Sequence, residues 1–87
     1  MDINSVINYV RMFDELDTKE KAIVIDFIEN NKDSIIVDPE IVEEGPYNDD
    51  YYNVTVEGPN NFYLVFEKGC DTDHLSMLEL DCEGILN

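Results

Sequence analysis

The residues with chemical potential are few. Cys70-Asp71-Thr72-Asp73-His74 places the only histidine and one of the two cysteines within five positions. A histidine beside carboxylates can work as a general base, and a histidine near a thiol can activate it as a nucleophile. The same set offers sulfur, oxygen and nitrogen donors to a metal. Its spacing matches no zinc pattern. The acidic run at Tyr47–Asp50 lacks the Asp/Asn ladder and glycine of an EF-hand loop. There is no Gly-x-Ser-x-Gly elbow, glycine-rich phosphate loop or His-Glu-x-x-His helix. With 21 Asp and Glu in 87 residues, acids next to a histidine are what composition alone produces. His74 therefore reads as a loop or strand-edge histidine among acids. No catalytic residue, metal ligand or cofactor is assigned.

A second stretch carries more of the chain's character. Glu43 to Glu57 reads EEGPYNDDYYNVTVE, with acids interleaved with Tyr47, Tyr51 and Tyr52 and no Lys, Arg or His. It belongs to a chain with five Lys and Arg against 21 acids, a net charge of −16. Self-repulsion of that size opposes compaction. The plain reading is a solvated acidic face, serving solubility or a salt-rich habitat. The sharper one is a surface shaped for a strongly positive partner. Carboxylates on a rigid sheet can stand in for phosphates, and tyrosines for stacked bases. Direct nucleic-acid binding and anionic membranes are disfavoured, because both need clustered Lys and Arg.

The elements that position these residues follow from hydrophobic spacing. Between Asp2 and Leu16, Ile3, Val6, Ile7, Val10, Phe13 and Leu16, with Met12 optional, fall on one helical face, and Asp2 can cap the start. Asp17 to Asn31 reads as a second helix opened by a capping box of Asp17 and Glu20. Its near-continuous apolar run, Ala22 to Ile28, suggests burial on more than one side. The short link between the two implies a helical hairpin. From Ser34 the period changes to strands. Pro39 marks an edge strand or a break, and Gly45-Pro46 and Asn48-Asp49-Asp50 read as loop. Tyr52, Val54 and Val56 alternate with polar neighbours, and Phe62, Leu64 and Phe66 do the same after a Gly58–Asn61 turn. Tyr51 and Tyr63, on the outer face, are candidates to cover each other as a cross-strand pair. Residues 74–82 fit a last strand with Leu78, Leu80 and Cys82 inward, or a short helix. Residues 83–87 read as a tail.

The expectation is one α+β domain over 1–87. An N-terminal helical hairpin (1–33) packs on one face of a three- or four-stranded antiparallel meander (34–82). Residues 1–37 hold eight acids and four bases, −4, and residues 38–87 hold thirteen acids and one base, −12. The sheet half therefore carries most of the field, and its uncovered face must display it. A candidate acidic surface is Glu43, Glu44, Asp49, Asp50, Glu57, Glu67, Asp71 and Asp73. The narrower partner-binding set is Glu43, Glu44, Tyr47, Asp49, Asp50, Tyr51 and Glu57.

The first apolar run is interrupted by Asn4, Asn8, Arg11 and Asp14 and does not read as a secretory leader, and no stretch approaches a membrane span. A cytoplasmic protein with two reduced thiols is expected, as a monomer or a homodimer. In size, charge and layout the chain resembles the small acidic inhibitors of phages and mobile elements, including DNA-mimicking anti-CRISPR and anti-restriction proteins. That resemblance covers composition and architecture and carries over no individual residue. It implies a non-enzymatic inhibitor that blocks the basic nucleic-acid-binding surface of a bacterial defence nuclease. Alternatives are an immunity protein or antitoxin against a cationic toxin, a small metal- or thiol-dependent enzyme centred on Cys70 and His74, and an acidic adaptor assembling through its helices.

Overall fold

A computed structural model describes residues 2–43 and 50–86. The chain runs α1 (Ile3–Met12), α2 (Thr18–Asn30), a 3₁₀ turn (Lys32–Ser34), β1 (Ile36–Val42), β2 (Tyr51–Glu57), β3 (Tyr63–Gly69), β4 (Leu75–Asp81) and α3 (Glu83–Leu86). The four strands form one antiparallel sheet in the order β1-β2-β3-β4, with the helices on one side. The α+β meander expected from the sequence is the fold observed.

Both helices start where polar side chains satisfy their first amides. The Asp2 carboxylate accepts from the Ser5 amide at 2.8 Å, and this bond holds the carboxyl below its ordinary pKa. Asp17 accepts from the Glu20 amide at 2.7 Å while the Glu20 side chain accepts from the Asp17 amide, a complete capping box. Helix α1 ends at Met12, earlier than the periodicity suggests, because Phe13 turns into extended backbone. Phe13 and Leu16 still reach the core from the connecting segment, whereas Met12 is 61% exposed. In α2 only Val24 and Ile28 are fully buried; Ile25 and Phe27 pack at the margin and Ala22 is exposed. The apolar run of α2 thus serves one buried stripe with a broad shoulder.

The core lies between the helices and the inner sheet face. Val6, Ile7 and Val10 of α1 and Val24 and Ile28 of α2 meet Val54, Val56, Leu64 and Phe66. Phe66 is its centre, packed edge-on by Tyr9 at 5.5 Å and Phe13 at 5.8 Å between ring centroids. Register brings the core-facing residues of adjacent strands together: Val54 opposes Phe66, Val56 opposes Leu64, and Leu64 opposes Leu80. The β2–β3 turn closes with Phe62 N–H donating to the Pro59 carbonyl, and Asn60 and Asn61 both adopt φ near +60°. That is the backbone of a hairpin turn whose twist matches the strands, and Asn tolerates it better than branched residues.

Two expectations need correction, the inward place of Leu78 and the tail at 83–87, and three open points are settled. Of the two readings of residues 74–82, the strand holds, but it carries a bulge: Val65 opposes Glu79 while Phe66 opposes Met77, leaving Leu78 as the extra residue. Leu75 and Met77 pack inward before the bulge and Leu80 and Cys82 after it, so Leu78 is 53% exposed rather than inward. Residues 83–86 are a short helix rather than tail. A Cβ at Gly84 would collide with the Asn60 carbonyl, so α3 sits directly on the β2–β3 turn. Pro39 does not break the first strand; β1 is one continuous edge strand. Both cysteines are free, and they stand beyond opposite ends of β4, roughly 20 Å apart at strand rise, where no disulfide can form.

Candidate acidic sheet face

The face of the sheet turned away from the helices is built by the strands' alternate residues. Register arranges it in rows: Ile36, Glu57, Tyr63 and Asp81; then Asp38, Thr55, Val65 and Glu79; then Glu40, Asn53, Glu67 and Ser76. A fourth row holds Val42, Tyr51 and Gly69. Six carboxylates therefore share one face: Asp38, Glu40, Glu57, Glu67, Glu79 and Asp81. All but Glu67 are exposed.

The bases lie elsewhere. Arg11, Lys19, Lys21 and Lys32 belong to the helices and the 3₁₀ turn. Lys68, the single base of the sheet, falls on the core-side register between Tyr52 and Leu75. Its ammonium donates to the Gly69 and Thr72 carbonyls at 3.0 and 2.7 Å, which fixes the β3–β4 corner. A Cβ on Gly69 would collide with the Thr72 hydroxyl, so a side chain there would force Thr72 to move.

The histidine that opens the chemical inventory is turned to this face. His74 Nε2 lies 2.7 Å from Glu67 Oε1. The carboxylate at this distance is Glu67 from the neighbouring strand, although Asp71 and Asp73 are nearer in sequence. Among the described residues, no three of His, Cys, Asp and Glu converge as a metal would require.

The partner-binding set named from the sequence is spread out. Glu44, Tyr47 and Asp49 lie outside the described residues. Glu43 follows β1 and is exposed; Asp50 precedes β2, and its carbonyl accepts from the Cys70 amide at 3.0 Å. Tyr51 and Glu57 occupy opposite ends of β2, six residues or about 20 Å apart, on the same face. Tyr51 and Tyr63 are equally far apart, since Tyr51 opposes Gly69 and Tyr63 opposes Glu57, so they do not cover each other. Sequence reading missed Asp38, Glu40, Glu79 and Asp81. For the first two the signal was present: Asp38 and Glu40 alternate with Val37, Pro39 and Ile41. For the last two it was scrambled by the bulge.

Asn53 sits mid-face on β2. Its Oδ1 is shut from solvent and has no hydrogen-bond partner among the described residues. No helix among the described residues is long and apolar enough to cross a membrane. No protein-family model, curated protein or solved structure matches the chain.

Proposed function

We propose that the chain is a non-enzymatic inhibitor whose open sheet face occupies the basic nucleic-acid-binding surface of another protein, a bacterial defence nuclease by resemblance of size, charge and layout. One observation carries the reading: a four-stranded face with six carboxylates and no Lys or Arg, which no helix among the described residues covers, the core lying on the other side. Such a face attracts cations over long range, speeds encounter with a positive surface and repels nucleic acid itself. The rigid sheet supplies what a disordered acidic tail lacks, fixed spacing between charges, so little ordering entropy is lost on binding. Function in the bacterial cytoplasm belongs to the same proposal.

The test is affinity capture from bacterial lysate at low and high salt, followed by release of the captured protein with duplex DNA. A nucleic-acid-binding partner is expected, held at low salt and released by about 0.5 M salt, where screening is within a few ångströms, and by DNA. The double reversal Asp38→Lys, Glu79→Lys is expected to abolish capture. A partner retained equally by that variant, or unmoved by both salt and DNA, would sink the reading.

A further inference from the structure

The β2–β3 hairpin fixes which backbone groups of β1 lie on the free edge of the sheet. Gly58 N–H donates to the Phe62 carbonyl at 3.0 Å. Hydrogen-bonded pairs in an antiparallel ladder recur at every second residue, so Val56 with Leu64 and Val54 with Phe66 are such pairs. The alternate residues Asn53, Thr55 and Glu57 turn their amides and carbonyls to β1, where they oppose Glu40, Asp38 and Ile36. Val37, Pro39 and Ile41 therefore aim their backbone groups away from the sheet, and no strand among the described residues meets them. Pro39 has no N–H, so it takes nothing from the β1–β2 ladder and removes one donor from the edge. The other edge, β4, is interrupted by its bulge at Leu78, whereas β1 keeps unbroken register over seven residues.

The side chains along this edge alternate in character. Asp38 and Glu40 stand exposed on the open face, and Val37, Pro39 and Ile41 lie on the opposite one. Val37 packs on the core, but Ile41 is 59% exposed and so lies beyond the helix layer. We infer that β1 accepts an added strand: an extended partner segment that alternates Lys or Arg with apolar residues. Its backbone pairs with the Val37 and Ile41 amides and with the carbonyls of Val37, Pro39 and Ile41. Its basic side chains meet Asp38 and Glu40, and its apolar ones extend the surface of Pro39 and Ile41. A slip of one residue sets apolar side chains against the acids, so the alternation selects register as well as partner. A second copy of this chain is disfavoured by the same features. In a twofold pairing centred on Pro39, Asp38 of one copy opposes Glu40 of the other, and the missing donor is lost twice. The edge is a different surface from the open face, and its use does not depend on the inhibitor reading.

The test follows amide hydrogen exchange and chemical shifts of the whole chain with two peptides as long as β1. One alternates Lys with Val; the other has the same residues in two blocks. In the free protein the Val37 and Ile41 amides are expected to exchange freely, and those of Asp38 and Glu40, which face β2, to be protected. The alternating peptide is expected to bind about tenfold tighter than the blocked one, the worth of a few cross-strand pairs, and to slow exchange at Val37 and Ile41. Pro39→Val restores the missing donor and should tighten binding. Asp38→Asn with Glu40→Gln should weaken it while the amide spectrum stays dispersed. Equal affinity for the two peptides overturns the edge site. So do shifts over the open face of β3 and β4 without protection at Val37 and Ile41, an outcome that leaves the inhibitor reading standing. Slow exchange at these two amides before any peptide is added also overturns it, assigning the edge to a second copy where the sedimenting mass doubles and to the chain itself where it does not.

Discussion

Cys82 closes β4 beneath the helix layer and is the one thiol built into the core. Burial pushes its pKa up, and the nearby Glu20, Asp81 and Glu83 carboxylates push the same way. A thiol raised in the folded state adds stability that is fully present below its unfolded value. That contribution is lost as pH rises through the folded value, because the unfolded chain ionises first. Stability is therefore expected to fall from about pH 8.5 upward, and to fall less steeply in Cys82→Ala than in the parent, as read from urea midpoints across that range. Cys70 is exposed in the β3–β4 corner and should react with a thiol reagent at once, whereas Cys82 should wait for opening. Equal labelling rates in the native protein would contradict this account. His74 makes the complementary point at the same scale: its neighbours in sequence are Asp71 and Asp73, but its carboxylate is Glu67, seven residues away and adjacent only because β3 and β4 pair.

The bulge in β4 decides which leucines matter. Leu78 is the extra residue and is half exposed, while Leu80 opposes Leu64 and packs on the core. Leu78→Ser is expected to change stability by no more than about 0.5 kcal/mol, and Leu80→Ala to cost about 2 kcal/mol, both from denaturant midpoints. A Leu78→Ser variant as damaged as Leu80→Ala would place the bulge elsewhere. This strand also shows where sequence reading ran out. The helices were legible because Asp2 and Asp17 cap them and Val6, Val10, Val24 and Ile28 recur at helical spacing. The β2–β3 hairpin was legible because both strands alternate without interruption around a turn-forming Asn60-Asn61. In β4 the phase changes midway, so Leu75, Leu78 and Cys82 imitate a helix and the inward set is misread. The bulge also serves the sheet: with Pro39 and the flanking acids on β1, it leaves neither edge a clean template for a second copy of the chain.

At the scale of the molecule, the charge imbalance read from the sequence becomes a direction. The protein is about 19 Å through its shortest axis, more than twice the Debye length of about 8 Å at physiological salt. Bases on the helix layer therefore do little to neutralise the open face. The uneven charge of the two halves was legible; the pairing of Asp38 and Glu40 with Glu79 and Asp81 across one face was not, because it depends on strand register. The same placement carries a cost in stability. Residues two apart in sequence are as close in the unfolded chain, so folding adds repulsion only between acids that strand pairing brings across the sheet; Asp38 and Glu79, about 14 Å apart, repel in water by about 0.3 kcal/mol before screening. The four pairs that Asp38 and Glu40 make with Glu79 and Asp81 across the face together thus oppose folding by about 1 kcal/mol at low salt. Replacing one acid on each edge, Asp38→Asn with Glu79→Gln, is expected to raise the melting temperature by about 4–8 °C in a domain of this size. In about 1 M salt, where the Debye length is about 3 Å, the gain should vanish. If the inhibitor proposal holds, the same variant should also bind its cationic partner more weakly. Calorimetry at the two salt concentrations decides it: a melting temperature that drops on neutralisation, or a gain that persists in high salt, would mean these carboxylates stabilise the sheet itself. A salt-sensitive gain together with weaker binding would identify them as groups the fold tolerates for the sake of a partner.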